Sequence, residues 1–340
     1  VESGLNLFFN IFKKKNIKVF FKKKSIPEYE ELLSIIYEIN KFNPDLIIAA
    51  GGGSVLDYAK IANVLFVSTS LKDDISNSKY KLVKHNRKLL AIPTTAGSGA
   101  EVTANAVIYV NKIKYSIEGE LIKPDFYFLI PDFVKGASNK IKSSAGFDAI
   151  SQAIESLISK KSTNESVSYS VDSLKISLKY FHSFLNNPNN ENTCAMLCAS
   201  NLAGKAISIS KTTAPHAVSY PFTSIFNISH GHAVSLTFNK FINFNFKNIQ
   251  RADCNFNLHD RYKILFNLTN TSNINELISY LNKILSNARL ENNFKKLGID
   301  INQSLEKILS QVNDQRLLNN PVKIDKENLK LILLEEQIQK

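Results

Sequence analysis

The sequence predicts an α/β domain followed by an all-helical domain. From residue 17 to about residue 130, short β-rich runs alternate with segments of helical periodicity, which is typical of strand-helix-strand units around a parallel sheet. After about residue 142, β-rich runs become scarce and apolar residues recur every three or four positions. The chain has 340 residues, 44% of them hydrophobic, which is enough for two cores. We therefore predict domains at residues 1–141 and 142–340.

The first half contains five runs of strand length, at residues 17–21, 46–50, 89–92, 106–110 and 126–130. The run 46–50 is continuously apolar and ends at three glycines, so we expect a strand that is buried on both faces. Residues 27–42 have the periodicity of an amphipathic helix, with Pro27 in its first turn.

The second half contains long helical segments. Helices are predicted at residues 144–159, 165–185, 191–210, 273–285 and 326–337, with a loop at residues 186–190. At the other end, the chain begins with Val1 and a helix-like segment that precedes the first strand-like run. From this opening we expect that an N-terminal piece is missing.

Composition argues against several classes of protein. No apolar stretch reaches about 18 residues and no leader peptide is evident, so we expect a cytoplasmic protein without a membrane partner. The cysteines Cys194, Cys198 and Cys254 are too few for a disulfide framework, and we favour buried small residues over metal ligands. The net charge of +12 comes with lysine runs that lack interleaved aromatic residues, which favours a basic surface and no nucleic-acid partner.

A glycine-rich loop follows the run 46–50. Gly51, Gly52, Gly53 and Ser54 connect this run to a helix that starts near Ser54. Glycine lets the backbone approach a ligand, and the N–H groups and dipole of a helix start favour a phosphate. We therefore predict a phosphate site. Asp57, in the first turn of the predicted helix, either favours the helix dipole or reaches a nucleotide hydroxyl.

A second loop follows the run 89–92. It carries the hydroxyls of Thr94, Thr95 and Ser98 beside two glycines. This loop is either a second wall of a nucleotide site or a Gly/Ser turn. Two such loops after strand ends favour a dinucleotide site, although neither has the G-x-G-x-x-G pattern.

Candidate metal ligands lie in the second half. Asp148 and Gln152 are four residues apart on a predicted helix, which puts them on one face. His216 and His230 lie in an apolar-rich region. One carboxylate with imidazoles suits zinc, iron or another first-row divalent ion. Spacing alone leaves an alternative, in which Asp and Gln lie on a helix surface and the histidines are hydrogen-bonded in the core.

These segments together resemble the iron-containing (group III) alcohol dehydrogenase family. The matching blocks are residues 51–60, 93–103 and 146–155 and two histidines 14 positions apart, and the resemblance extends to residues 316–321. Residues 210–221, with the His-Gly-His at 230–232, most resemble the phosphonoacetaldehyde reductase branch. The resemblance implies a Rossmann-like N-terminal domain and an all-α C-terminal domain, the dehydroquinate synthase-like fold, with an active-site cleft between them.

The resemblance also implies two bound groups. The glycine loop and the hydroxyls of Thr94, Thr95 and Ser98 would hold NAD or NADP, with Lys114 as a further cofactor contact. The segment that usually helps to choose between the two cofactors has no match here, so the preference is open. The divalent metal, iron, zinc or another first-row ion, would be held by residues at the positions of Asp148, Gln152, His216 and His230.

Two positions depart from the family pattern. Gln152 stands where the family has a histidine, and its carbonyl oxygen is a weaker and harder donor than imidazole, so we expect a change in metal affinity and preference. Tyr220 stands where many relatives have another histidine, and it either donates a proton or lines the pocket. His232 is a candidate for a proton relay or for anion recognition, against a structural role, and Lys211 is a candidate for facing an anionic substrate.

The function implied by the resemblance is NAD(P)H-linked, metal-dependent reduction of a small aldehyde to an alcohol, or the reverse. Anionic substrates are included, with phosphonoacetaldehyde reduced to 2-hydroxyethylphosphonate as one candidate. Two alternatives remain: a dehydroquinate-synthase-like cyclase, and a catalytically impaired homologue that only binds. The family suggests a homodimer.

Overall fold

The computed structural model describes residues 16–24, 26–312 and 314–335, so the helix-like opening of the chain lies outside the described residues. The strands of these ranges are β1 (Leu46–Gly51), β2 (Lys88–Pro93), β3 (Asn105–Val110), β4 (Ile113–Glu118) and β5 (Phe126–Tyr127). The helices are α1 (Tyr29–Phe42), α2 (Gly53–Val64), α3 (Leu71–Ser76), α4 (Pro131–Lys135), α5 (Asn139–Ile158), α6 (Asn164–Asn186), α7 (Asn190–Ser210), α8 (Ala214–Phe226), α9 (His230–Lys247), α10 (Leu258–Thr269), α11 (Ile274–Asn287), α12 (Ile301–Leu309), α13 (Asp314–Leu318) and α14 (Lys326–Leu334).

Three strands form a parallel sheet in the order β1-β2-β5. Helix α2 packs on one face of this sheet, where Leu56 and Ala59 contact Leu89 and Ala91. The strands predicted at 46–50 and 89–92 are confirmed, and so is the helix after the glycine loop. The prediction that β1 is buried on both faces is wrong. Leu46 is 42% exposed, because β1 is an edge strand among the described residues.

Strands β3 and β4 form a separate antiparallel hairpin. Its two-residue turn has Asn111 and Lys112 at φ 51° and 66°, the left-handed conformation that suits the twist of a hairpin. The run 106–110 is therefore a strand as predicted, but its assignment to the parallel sheet is wrong. The hairpin packs its apolar face on α2, where Ala106 and Ile108 join a core with Ile61.

Three other predictions in the first half need correction. Residues 17–21 form no strand, and Phe21 is 66% exposed, because β-propensity without a pairing partner does not make a strand. The run 126–130 is a strand for two residues only, since Pro131 starts α4. Pro27 lies before α1 and not in its first turn; its carbonyl accepts a hydrogen bond of 2.7 Å from the Tyr109 N–H.

The second half is helical, as predicted, and is built around α5. Almost every residue of this helix from Lys142 onward is buried, and it packs against α6, α7 and α9. Reciprocal side-chain and backbone hydrogen bonds cap α6 at Thr163 and α7 at Asn189. The predicted boundary between residues 141 and 142 falls within α5 and stays a prediction.

The three cysteines are free thiols. Cys194 is exposed and Cys198 is half-buried, so the expected burial is wrong for Cys194 and only partly met by Cys198. Throughout the described ranges, we find no helix with the length and apolar character needed to cross a membrane.

Candidate metal and cofactor site

The two predicted phosphate loops lie side by side. The Thr94 N–H donates a 2.9 Å hydrogen bond to the Gly51 carbonyl, which joins the end of β1 to the end of β2. A Cβ added to Gly53 would meet Ser98 Oγ at 2.8 Å, and one added to Gly52 would lie 3.6 Å from Thr95 Oγ1. Glycine therefore keeps a narrow gap open between the hydroxyls of one loop and the start of α2. No side chain caps α2, so its amino end is available to an anion.

The second loop rests directly on the helical half. Gly99 has φ 59°, and a Cβ added to Gly204 of α7 would lie 2.7 Å from Gly99 Cα. A Cβ added to Gly97 would lie 2.7 Å from the Ala145 carbonyl oxygen of α5. The hydroxyl-bearing loop is thereby held against α5, the helix that carries the first candidate metal ligand.

Asp57 lies in the second turn of α2, not the first. Burial raises its pKa to about 6, against the opposing influence of the Lys60 charge, the Val107 N–H and Lys114. Lys60 itself is fully buried and donates to the Ala100 carbonyl at 2.9 Å and to Thr103 Oγ1 at 2.8 Å. These bonds stabilise the segment that follows the second loop, a role that sequence reasoning did not assign.

Three of the predicted metal ligands come together between α5, α8 and α9. Candidate ligand atoms of Asp148, His216 and His230 all lie within 4.8 Å of one another. His216 Nε2 is 3.2 Å from Asp148 Oδ1, and the two imidazole centroids are 5.3 Å apart. One carboxylate and two imidazoles converging in a mostly buried position form a donor set suited to a first-row divalent ion.

Gln152 follows Asp148 by one turn of α5 and is buried, with only 3% of its surface exposed. Its Oε1 has no hydrogen-bond partner among the described residues. A buried acceptor without a donor costs free energy, on the order of 1–3 kcal/mol, unless a cation or donor satisfies it. This orphaned oxygen, on the same helix face as Asp148, fits a metal site.

Glu155 completes this face of α5, and sequence reasoning missed it. Its fully buried carboxylate is hydrogen-bonded to His216 Nδ1, and it also accepts from the His216 N–H at 3.3 Å and from Thr213 Oγ1 at 2.9 Å. Glu155 thereby fixes the His216 ring so that Nε2 points toward Asp148. A carboxylate that orients a ligating imidazole in this way is common around protein-bound metals. Its position seven residues after Asp148, again on the same helix face, was the available signal.

The two histidines have opposite electrostatics. Burial alone would lower the pKa of His216, but the carboxylates of Glu155 and Asp148 outweigh it and raise the pKa to about 9. Burial, with the charge of Lys114, lowers the pKa of His230 to about 3, so its ring stays neutral. Without a metal, His216 therefore keeps its proton between the carboxylates of Glu155 and Asp148. A negatively charged environment of this kind favours a bound cation.

Gly231 makes the short distance between α9 and α5 possible. A Cβ at this position would collide with the Ser144 carbonyl oxygen and would lie 2.9 Å from Asp148 Cβ. The next residue ties the same two helices together, since the His232 N–H donates to Ser144 Oγ at 3.1 Å. The glycine between the two histidines thus lets His230 reach Asp148.

Of the remaining predicted residues, two lie next to the metal cluster and two are held by other contacts. Tyr220 and Lys114 adjoin the metal cluster: the Tyr220 ring centroid is 6.0 Å from that of His230, and Lys114 Nζ lies 3.5 Å from the Tyr220 centroid. His232 is not part of the cluster; its Nε2 is 2.6 Å from the Glu291 carbonyl oxygen, which favours a structural role. Lys211 pairs with Glu118 at 3.1 Å.

Arg316 is a further residue at this place that sequence reasoning did not single out. Its guanidinium is hydrogen-bonded to the Tyr220 hydroxyl and lies 3.2 Å from Glu118 Oε1. Nearly 200 positions separate it from Glu118, so no local pattern was available to reveal the contact.

Comparison with known proteins shows which family has this arrangement of loops and metal ligands. Residues 5–131 match the family model described as iron-containing alcohol dehydrogenase, and residues 142–336 match the one described as the C-terminal part of the Fe-containing alcohol dehydrogenase family. The matches include both phosphate loops and all four candidate metal positions.

Individual relatives agree with these matches. A 4-hydroxybutyrate dehydrogenase of Clostridium kluyveri is 31% identical over 70% of this chain and 64% of its own length. A phosphonoacetaldehyde reductase of Streptomyces viridochromogenes is 25% identical over 66% of this chain and 59% of its own length. The chain thus spans less than two thirds of the length of these two relatives.

A solved structure resembles the whole described fold. The sulfoacetaldehyde reductase of Bifidobacterium kashiwanohense, solved in complex with NAD+, is 26% identical, with a TM-score of 0.85 over 98% of this chain and 87% of that one. The fold class predicted from the sequence is therefore confirmed. With both halves matched in order and the ligand set in place, the chain belongs to the iron-containing alcohol dehydrogenase family.

Proposed function

We propose that this protein catalyses metal-dependent, NAD(P)H-linked reduction of a small aldehyde to an alcohol. The observation that carries the proposal is the cluster of Asp148, His216 and His230, with the unpartnered oxygen of Gln152 on the same helix face. Beside it, the paired loops offer the hydroxyls and helix start that suit a dinucleotide. Fold alone does not imply an activity, so the proposal rests on this site.

The substrate class is inferred from three relatives. Their names refer to 4-hydroxybutyrate, phosphonoacetaldehyde and sulfoacetaldehyde. All three compounds have a short carbon chain with an acid group at the end opposite the reacting carbon. We infer a substrate of the same kind, with phosphonoacetaldehyde reduced to 2-hydroxyethylphosphonate as one candidate.

The residues have separable roles in this proposal. When bound, the metal supplies polarisation of a carbonyl oxygen, and the reduced nicotinamide supplies a hydride. Asp148, Gln152, His216 and His230 would hold the ion, and Glu155 orients His216. The cofactor would be held by the two loops, with Asp57 and Lys114 as further contacts. The loop residues are Gly51, Gly52, Gly53, Ser54, Thr94, Thr95 and Ser98.

Tyr220 is suited to hold a proton next to the metal ligands. Burial raises the pKa of its hydroxyl, and the nearby Arg316 only partly offsets this effect, so the phenol stays protonated at neutral pH. Arg316 donates to the phenol oxygen, which leaves the O–H of Tyr220 available as a hydrogen-bond donor. A role for this proton in turnover is part of the proposal.

The direct test measures oxidation of NADH and NADPH with a panel of small aldehydes. The metal-stripped protein is reconstituted with iron, zinc, nickel or manganese in turn. We expect turnover with at least one metal, and higher kcat/KM for aldehydes that carry an acid group. If no combination of aldehyde, cofactor and metal shows turnover, the proposal is contradicted.

The same assay separates the alternatives. A dehydroquinate-synthase-like cyclase would show no net consumption of NAD(P)H. A catalytically impaired homologue would bind metal and NAD(P)H, measured by metal analysis and calorimetry, yet reduce no aldehyde.

Gln152→His is expected to tighten zinc or iron binding by about tenfold or more, which corresponds to roughly 1.4 kcal/mol. The imidazole would replace the weaker amide oxygen in a helix position that already faces Asp148. Affinity is measured by competition with a chelator, and Gln250→His, at an exposed position, is the matched control. Equal affinity of Gln152→His and the unaltered protein would exclude residue 152 from the ligand set.

A further inference from the structure

A cationic group lies beside the metal cluster, and the binding of a metal ion does not explain it. It consists of Lys114 on β4, Arg316 on α13 and Lys211 after α7, and we refer to it as the cationic group. The carboxylate of Glu118 pairs with two members of this group: it lies 3.2 Å from Arg316 and 3.1 Å from Lys211. One acidic side chain thus serves two of the three cations.

Tyr220 connects the cationic group to the metal ligands. Lys114 Nζ lies over its ring, Arg316 is hydrogen-bonded to its hydroxyl, and the ring is 6.0 Å from that of His230. Arg316 and Lys114 therefore flank the same aromatic ring, which lies against a candidate metal ligand. A short substrate with its carbonyl at the metal would extend past Tyr220 toward these two cations.

We propose that Arg316, together with Lys114, binds the terminal acid group of the substrate. This inference rests on the proposed function and assigns the residues that select its substrate class.

The chemistry of the two side chains supports the assignment. The side chain of Arg316 is only 12% exposed, and a guanidinium of low exposure offers several N–H donors in a fixed plane, which matches a carboxylate, sulfonate or phosphonate. Its bonds to Glu118 and Tyr220 fix the orientation of that plane. Lys114 forms no ion pair with any residue in the described ranges, and its Nζ lies over the Tyr220 ring. Burial lowers the Lys114 pKa to about 7, against the opposing influence of Asp57 and Asp148, and a substrate anion beside the ammonium group would favour its charged form further.

Glu118 acts as a positioning residue in this arrangement. It lies at the end of the β3–β4 hairpin, accepts from Ser116 Oγ at 3.2 Å, and pairs with Arg316 and Lys211 from the helical half. The hairpin that presents Lys114 is thereby fixed to the segment that presents Arg316. The spacing of the two proposed anion-binding cations is thus set by a contact outside the metal cluster.

The test compares two aldehydes of equal chain length, 4-oxobutanoate with its carboxylate and butanal without one. We expect the unaltered protein to prefer 4-oxobutanoate. In Arg316→Gln, kcat/KM for 4-oxobutanoate should fall about 10- to 100-fold more than kcat/KM for butanal, and this selective part of the loss should lie mainly in KM. Arg316→Lys should recover part of the loss, and Arg251→Gln, at an exposed arginine, is the matched control.

Lys114→Gln is measured in the same way, with KM for NAD(P)H as an additional readout. A fall in kcat/KM that is confined to 4-oxobutanoate supports a part for Lys114 in binding the acid group. A rise in KM for NAD(P)H that is equal with both aldehydes would instead assign Lys114 to the cofactor. An equal loss with both aldehydes in Arg316→Gln, or no preference in the unaltered protein, would overturn the proposal.

Binding measurements keep the inference separate from the proposed function. Calorimetry of the metal-reconstituted protein uses succinate and the neutral succinamide as probes. Tighter binding of succinate that is lost in Arg316→Gln supports the anion site even if no aldehyde is reduced, in which case only the proposed function fails. Equal binding of the two probes would overturn the inference, and thermal melting of Arg316→Gln and Arg316→Lys shows whether the variants remain folded.

Discussion

Replacing His230 with alanine is expected to remove the bound metal and abolish turnover. His230 is one of three donors within 4.8 Å of one another, and its neutral ring offers a lone pair at neutral pH because burial lowers its pKa to about 3. Losing a residue that only orients a ligand typically costs about 10- to 100-fold in affinity or activity, and losing a ligand itself should cost more. Metal content per chain and NAD(P)H oxidation with an aldehyde are the measurements.

The fold should survive His230→Ala, because the residue lies at the start of α9 and not in the middle of a packed helix. The metal-free variant and the metal-free parent protein should therefore melt at similar temperatures. His182→Ala, at an exposed position on α6, is the matched control and should retain both metal and activity. Full turnover by a metal-stripped His230→Ala protein would refute a metal-centred reaction.

Gly231→Ala is expected to destabilise the protein and weaken its metal site together. The added methyl group would collide with the Ser144 carbonyl oxygen and come within 2.9 Å of Asp148 Cβ, so α9 must move away from α5. Overpacking of this kind costs about 1–3 kcal/mol of unfolding free energy. Helix propensity alone favours alanine over glycine by up to about 1 kcal/mol. A net loss of unfolding free energy in Gly231→Ala would therefore show that the steric clash outweighs helix propensity.

Urea unfolding of the metal-free protein and chelator competition measure the two effects of Gly231→Ala. Gly136→Ala provides a matched control, since no atom lies within 4 Å of a Cβ added there. If Gly231→Ala matches the parent protein in both stability and metal affinity, then α9 is not held to α5 by close contact at this glycine.

Much of the site could be predicted from the sequence because its chemistry is carried by few residue types at regular spacing. Asp148 and Gln152 share a helix face by periodicity alone, and the glycine loop marks a strand end. The grouping of Asp148 with two distant histidines came from the family resemblance, and the structure brings the three together. Glu155 shares the same periodicity, but its role depends on His216, 61 positions away, and no local pattern contains that contact.

Strand partners were harder to predict than strands. The run 106–110 is β-rich, but only the left-handed turn at Asn111 and Lys112 determines that it folds back on β4. Residues 17–21 have equal β-propensity and form no strand, since the pairing that would make one is a long-range property. The contact of Arg316 with Glu118 is of the same kind: it joins positions that no local window contains.

The contact between Gly99 and Gly204 has a consequence for attempts to engineer this protein. Gly204 lies inside the long helix α7, where stability design would routinely install alanine for a gain of up to about 1 kcal/mol. Here the methyl group would lie 2.7 Å from both the Cα and the carbonyl oxygen of Gly99, in the loop proposed to hold the cofactor. A substitution chosen to stabilise α7 would thus displace a loop more than 100 positions away in sequence, and any gain in thermostability would be offset by distortion of the proposed nucleotide site.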